Sequence, residues 1–265
     1  MPFTTSHPAI VLPLKKIFPR LFSLTGLMAG AMSPDLLYFL NLSTLHRSFS
    51  HSWSGLFVFC LPAGVIFSFA FHWFFKYHFL SNLPFHLDHF FSGLTESEFK
   101  PRGVKSWLIL LISVLIGALS HFFWDSFTHK AGMIAQLIPF LTQYTVIFNI
   151  RMLNTTILQH LSTLGGLIFM IIFFWKGKLL PSPPANFQPR KTIDKLKFWS
   201  GTISFAIVFA LVIISYYHHF YPRYPISDMV IIGLATWSGF FYAVVGHNIY
   251  QKIIKQMKKK QIIID

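Results

Sequence analysis

The stretch SHFFWDSFTH, residues 120–129, sets His121, Asp125 and His129 four residues apart. On a continued helix this i, i+4, i+8 spacing stacks all three on one face. Imidazole and carboxylate together are the ligands that zinc, manganese and iron favour. A second group lies upstream: Asp35 in MSPDLLYFL, then His46 and His51 in LHRSFSHSWSG. Two kinds of chemistry fit such a set. One is a divalent-metal centre; the other is hydrogen bonding between helices, worth about 0.6 kcal/mol per bond in a membrane bundle. HxxxD alone is a weak signal, and its weight here depends on whether the fold brings the two groups together.

The elements that must do so are apolar. The 265 residues are 54% hydrophobic and 11% charged, against about 25% charged in a soluble domain. Six stretches, 21–40, 53–75, 106–125, 156–175, 198–217 and 229–250, approach the ~20 residues a helix needs to cross a bilayer. The expected fold is all-α: a polytopic membrane bundle of about six transmembrane helices with a short N-terminal helix. Residues 1–175 form its first membrane domain, and the Pro-rich polar segment 176–197 is a linker. Residues 198–265 are a two-helix hairpin with a basic tail. No cleavable signal segment is expected, because the basic residues of MPFTTSHPAIVLPLKKIFPR follow its apolar run. No long internal repeat is evident. The lone Cys60 excludes an internal disulfide and a cysteine-based zinc site.

With six alternating spans, all cations except Arg47, Lys130, Arg151 and Arg223 fall on one side, out of 22. That side reads as cytoplasmic, together with the 176–197 linker and the C-terminus. The net charge of +14 then reflects topology and attraction to anionic lipid, with no nucleic-acid partner expected. Of the eight acidic residues, only Asp35, Asp125 and Asp228 lie near the outer ends of spans. Ionisable groups at membrane depth cost about 2.5–3.5 kcal/mol on insertion scales and so tend to have a partner or a role. Asp35, His51, His121 and Asp125 all reach the outer face on this topology.

Other polar residues read differently. His86, Asp88 and His89 in FHLDHF suit a solvated loop better than a metal site. His218 and His219 read as interfacial anchors, and His72 and His247 as core or interfacial histidines. Gly26 and Gly30 form a GxxxG pair for close helix packing. No GxSxG, Walker, GxGxxG or HExxH motif occurs.

The ordered set MPFTTSHPAIVLPL, GAMSPDLLYFL, SHSWSGL, SHFFWDSFTHKAG and LQHLSTLGG resembles an uncharacterised bacterial multi-pass membrane family, the domain of unknown function numbered 4184. The resemblance covers most of the first 170 residues. The pattern is also similar to proteins assigned as inner-membrane metal-dependent hydrolases, and more distantly to zinc-dependent phospholipases C. The resemblance implies a divalent metal, zinc foremost, held by His7, Asp35, His51, His121 and Asp125, with His129 as a further ligand. It places His46, Arg47 and Ser52 in a loop motif, and Gln159 and Ser162 in a later polar motif, as substrate-facing or supporting residues. The cation count puts the N-terminus inside, whereas the resemblance wants His7 at the outer site; one resolution is a short tilted helix over residues 8–18 that leaves the N-terminus outside.

The function this suggests is a membrane-embedded metal-dependent hydrolase, acting at the outer face on phosphoesters of lipid or envelope molecules. Arg47 can neutralise a phosphate there or simply face solvent. No acidic residue stands out as general base. The rivals are an ion or metal transporter and a non-catalytic scaffold. A transport path needs polar residues across the membrane, and LFVFCLPAGVIFSFAF and WLILLISVLIGAL offer none that ionise readily apart from Cys60.

Overall fold

A computed structural model of the protein describes residues 4–42, 47–177, 180–221 and 228–264. A buried 3₁₀ segment, Thr4–Ile10, leads into the short helix α1, Leu12–Ile17. The long helices follow as α2 (Leu24–Asn41), α3 (Trp53–Ser81) and α4 (Gly103–Thr128). A two-stranded antiparallel hairpin, β1 (Tyr144–Ile147) and β2 (Ile150–Leu153), precedes α5 (Asn154–Gly177). Helices α6 (Thr192–Phe220) and α7 (Asp228–Ile264) complete the chain. The architecture is an all-α polytopic bundle.

Among the described residues, five helices are long and apolar enough to cross a membrane, within Trp53–Ser81, Gly103–Leu137, Asn154–Lys176, Thr192–Phe220 and Val230–Ile254. The stretch read as a sixth span is helical as α2, but differs in kind. It has 18 residues and carries Pro34 inside the helix, flanked by Ser33 and Asp35. The expected N-terminal helix over 8–18 is instead the 3₁₀ segment plus α1. Lys15 turns back there to donate to the carbonyls of Pro19 (2.6 Å) and Phe22 (2.8 Å).

The chain forms two compact units. The first takes residues 1–37, 46–68 and 100–179, the second 38–45, 69–99 and 180–265. In the first unit α2 crosses α4 at very short range. A Cβ added to Gly30 would lie 2.1 Å from the Val114 carbonyl oxygen, and one on Gly117 2.4 Å from that of Leu27. The GxxxG pair thus works as expected, with Gly117 as its counterpart on α4. Such backbone contact is the dispersion-driven packing that membrane helices use in place of a hydrophobic driving force. Pro34 cannot donate to the carbonyl four residues back, Gly30. Ser33 Oγ donates to that carbonyl instead, at 2.9 Å, as buried membrane helices require.

In the second unit α6 packs along α7, with Gly239 against Ala206 and Phe209. Trp199 Nε1 donates to the Asn82 carbonyl at 2.7 Å. Lys195 bonds both Asp88 (2.5 Å) and the Leu83 carbonyl (3.0 Å). Asp88 is buried, which corrects the reading of FHLDHF as a wholly solvated loop. The sequence separation of Asp88 and Lys195 hides the pairing.

The hairpin was not expected from a sequence dominated by helical runs. Its register pairs Ile147 with Ile150 across a two-residue turn, Phe148–Asn149. Both turn residues have positive φ, 49° and 61°, as a type I′ turn requires. Asn tolerates that conformation, whereas for a bulky L-residue it costs about 1–2 kcal/mol.

Candidate metal centre

Asp35, on the turn of α2 opened by Pro34, is fully buried. Thr4 Oγ1 donates to its Oδ2 at 2.6 Å, which leaves Oδ1 facing inward. His51 follows the single turn Arg47–Ser50. Ser50 Oγ engages its Nδ1 at 3.1 Å, so Nε2 points at the carboxylates. Ser52 fixes the start of α3 by accepting from Gly55 N (3.0 Å) and donating to the Phe49 carbonyl (2.7 Å). That capping bond satisfies an otherwise unpaired helix-terminal amide.

His121 and Asp125 come from the last turns of α4. His121 Nδ1 lies 2.8 Å from the Ala31 carbonyl oxygen. A carbonyl only accepts, so Nδ1 carries the proton and Nε2 keeps its lone pair. This is the arrangement that outer partners impose on metal-binding histidines. His7, from the 3₁₀ segment, stacks on the His121 ring with centroids 3.7 Å apart and planes 14° from parallel. Burial, reinforced by the neighbouring His121, holds the His7 imidazole well below the usual histidine range. That favours the neutral form that can act as a ligand. Gly166 on α5 gives the segment room: a Cβ there would approach Ser6 to 3.2 Å.

The donor atoms converge. His51 Nε2 lies 3.6 Å from Asp35 Oδ1 and 3.5 Å from Asp125 Oδ2. His121 Nε2 lies 3.6 Å from each of the same two oxygens. His7 Nε2 is 3.8 Å from Asp125 Oδ1. These separations exceed hydrogen bonds of 2.7–3.2 Å. They lie near the ~3.4 Å expected between two ligands bound tetrahedrally at about 2.1 Å from one ion. Among the described residues, Asp35 Oδ1, His121 Nε2 and both His7 nitrogens are buried without a hydrogen-bond partner, an arrangement costly unless something satisfies them. Among the described residues, two sets have side-chain donor atoms close enough to share an ion: Asp35, His51 and His121, and His7, His121 and Asp125. The residues fit a divalent cation in donor type, charge and spacing.

This geometry brings together all five residues that the resemblance implies as principal ligands. His129 behaves differently. Helix α4 ends at Thr128, and His129 adopts extended backbone angles, so the continued i+8 stack does not form. Its Nδ1 lies 3.1 Å from the Asp125 backbone oxygen and 3.5 Å from Oδ1, beside the cluster rather than within either ligand set. Gln159 donates to the Thr128 carbonyl at 2.5 Å, tying α5 to the end of α4. Ser162 bonds its own helix, at the Gln159 carbonyl. His46 lies outside the described residues, as does the Arg47 side chain. Residue types alone did not single out Thr4, Ser50 or the Ala31 carbonyl. Their roles rest on contacts that ligand spacing does not encode.

The family model for a domain of unknown function, DUF4184, matches residues 1–249. The chain belongs to the DUF4184 family. No curated protein and no solved structure matches it. The matched range takes in every residue of the cluster, so in this DUF4184 chain the site lies within the family domain.

Proposed function

We propose that this DUF4184 protein is a membrane-embedded, metal-dependent hydrolase acting on phosphoesters of lipid or envelope molecules. The observation that carries the reading is the convergence of Asp35, His51, His121 and Asp125 at 3.5–3.6 Å, with His7 stacked alongside. Bound there, a divalent cation, zinc foremost, supplies Lewis-acid activation of water and of a phosphoryl oxygen.

The chain's own residues prepare the site for that role. Asp35 and Asp125 offset the charge of a dication. Thr4 and the Ala31 carbonyl lock Asp35 and His121 in orientations that present Oδ1 and Nε2. Ser50 does the same for His51. The buried surroundings exclude bulk water, which strengthens these electrostatic interactions. The transporter reading finds little support below the cluster. There α4 is buried through Gly117, Val114, Ser113 and Leu110, and Ser113 spends its hydroxyl on the Ile109 carbonyl.

The cation distribution supports a cytoplasmic 176–197 linker and an outer position for the site. Without a crossing α2, residues 82–102, 177–191 and the C-terminal tail still share a side across the five spans, while Lys15, Lys16 and Arg20 move to the other. Elemental analysis of detergent-purified protein, followed by turnover of a panel of phosphoesters with and without added zinc, manganese or iron, tests the function. Metal-dependent turnover is expected. A metal-loaded protein inactive on the whole panel argues against hydrolysis, and a protein that takes up no metal supports a scaffold.

A further inference from the structure

The connection between α4 and α5 is long, and its hairpin has no apolar core of its own. Val146 and Ile150 are exposed, Ile147 is at the margin of exposure, and Phe148 at the tip is 94% exposed. Adjacent strand residues point to opposite faces, so Val146 and Ile147 present apolar surface on both sides. A two-stranded hairpin is marginal in water even when one face is covered. Phe148 also holds a backbone conformation unfavourable to its side chain, at φ 49°, without packing inside the protein. The hairpin runs directly into α5 and is joined to α4 through residues 129–143, and both helices are apolar enough to cross a membrane. It follows the end of α4 that carries His121 and Asp125. At its base Arg151 sits 4.5 Å over the Tyr144 ring, a pairing suited to the aromatic, headgroup-level belt.

We infer that the 144–153 hairpin seats in the bilayer leaflet at the end of the protein where the metal cluster lies, with Phe148 among the acyl chains. The unpaired strand edges require water and exclude the hydrocarbon centre. The hairpin therefore lies at the headgroup–acyl boundary and dips its tip inward. Its position beside the end of α4 makes a lipid-borne phosphoester the natural substrate; that part of the inference rests on the hydrolase reading.

The test uses the full chain in phospholipid nanodiscs, with Cys60→Ser and a spin label at Phe148→Cys, and separately at Val146→Cys and Ile147→Cys. Ser182→Cys serves as an exposed reference outside the long helices. At all three hairpin sites, collisions with dissolved oxygen should exceed those with a water-soluble nickel chelate, and nickel access should fall at least fivefold below that at 182. Nickel access equal to that at 182 would place the hairpin in water and overturn the inference. Protection from both reagents would mean contact with protein, such as a second copy, and would overturn it equally. For the substrate part, Phe148→Asp should lower kcat/KM at least tenfold on long-chain phospholipid vesicles, with a soluble short-chain phosphoester unaffected. Equal loss on both substrates would refute the lipid-presenting role. Absence of wild-type turnover on either would refute the hydrolase reading, while the labelling still decides where the hairpin sits.

Discussion

Replacing Gly30 by alanine should damage the candidate metal centre without altering any of its five candidate ligands. The added Cβ would lie 2.1 Å from the Val114 carbonyl oxygen, whereas ordinary contact begins at 3.4 Å. The helices must therefore part by about 1.3 Å (3.4 − 2.1) along that contact. Backbone faces backbone here, so no rotamer change relieves the clash. Overpacking of this kind costs about 1–3 kcal/mol. The bond from His121 Nδ1 to Ala31, now 2.8 Å, would lengthen towards about 4 Å and be lost, adding about 1 kcal/mol. The expected total is about 2–4 kcal/mol. Loss of an outer partner typically weakens metal binding by about 10–100-fold, and His121 would lose its own. The assay is thermal unfolding in detergent with and without zinc, alongside competition with a zinc chelator. Gly165→Ala is the control, since nothing lies within 4 Å of the Cβ it would add. A Gly30→Ala protein with wild-type stability and zinc affinity would refute the proposed coupling of helix crossing to site geometry.

Further outcomes follow from other contacts. Asp125→Asn should keep the metal-free protein folded, because an amide can still bond between helices, but should abolish stabilisation by added zinc in a thermal scan. Ser33→Ala removes the donor to the Gly30 carbonyl and should cost about 1 kcal/mol in reversible unfolding; no loss would mean that carbonyl has another partner. Lys195→Ala leaves Asp88 buried without its cation and should destabilise by about 3 kcal/mol, with Asp88→Asn restoring part of the loss in the double variant. A cysteine at Ser182, in a Cys60→Ser background, should resist impermeant thiol reagents in intact cells, and ready labelling would invert the assigned topology.

The clustering was legible because rare ionisable residues in an apolar chain have few places to go. His121 and Asp125 needed only helical spacing, and the charge distribution brought Asp35 and His51 to the same face. His7 did not emerge from spacing; the resemblance supplied it, and the stack on His121 gives it a physical place. His129 leaves the stack because a helix end cannot be read from a four-residue period. The GxxxG pair was legible, but its counterpart Gly117 sits alone in α4. Nor did the sequence reveal that Pro34 and Ser33 act together, one freeing the Gly30 carbonyl and the other satisfying it. The hairpin escaped for a different reason. YTVI and IRML are short apolar runs, and their turn, Phe148–Asn149, lacks the glycine that usually announces a type I′ turn. Asp88 and Lys195 pair across a sequence distance at which spacing carries no information.

The central claim is that the clustered histidines and aspartates bind metal. It is tested most directly by elemental analysis of the purified wild-type chain beside His121→Ala and Asp125→Asn, each matched for folded protein by size-exclusion chromatography. The account predicts a stoichiometric transition metal, zinc foremost, in the wild type, and at least a tenfold lower content in both variants after identical chelator washing. Equal metal content in all three proteins, or none in the wild type even after reconstitution with zinc, manganese and iron, would contradict it.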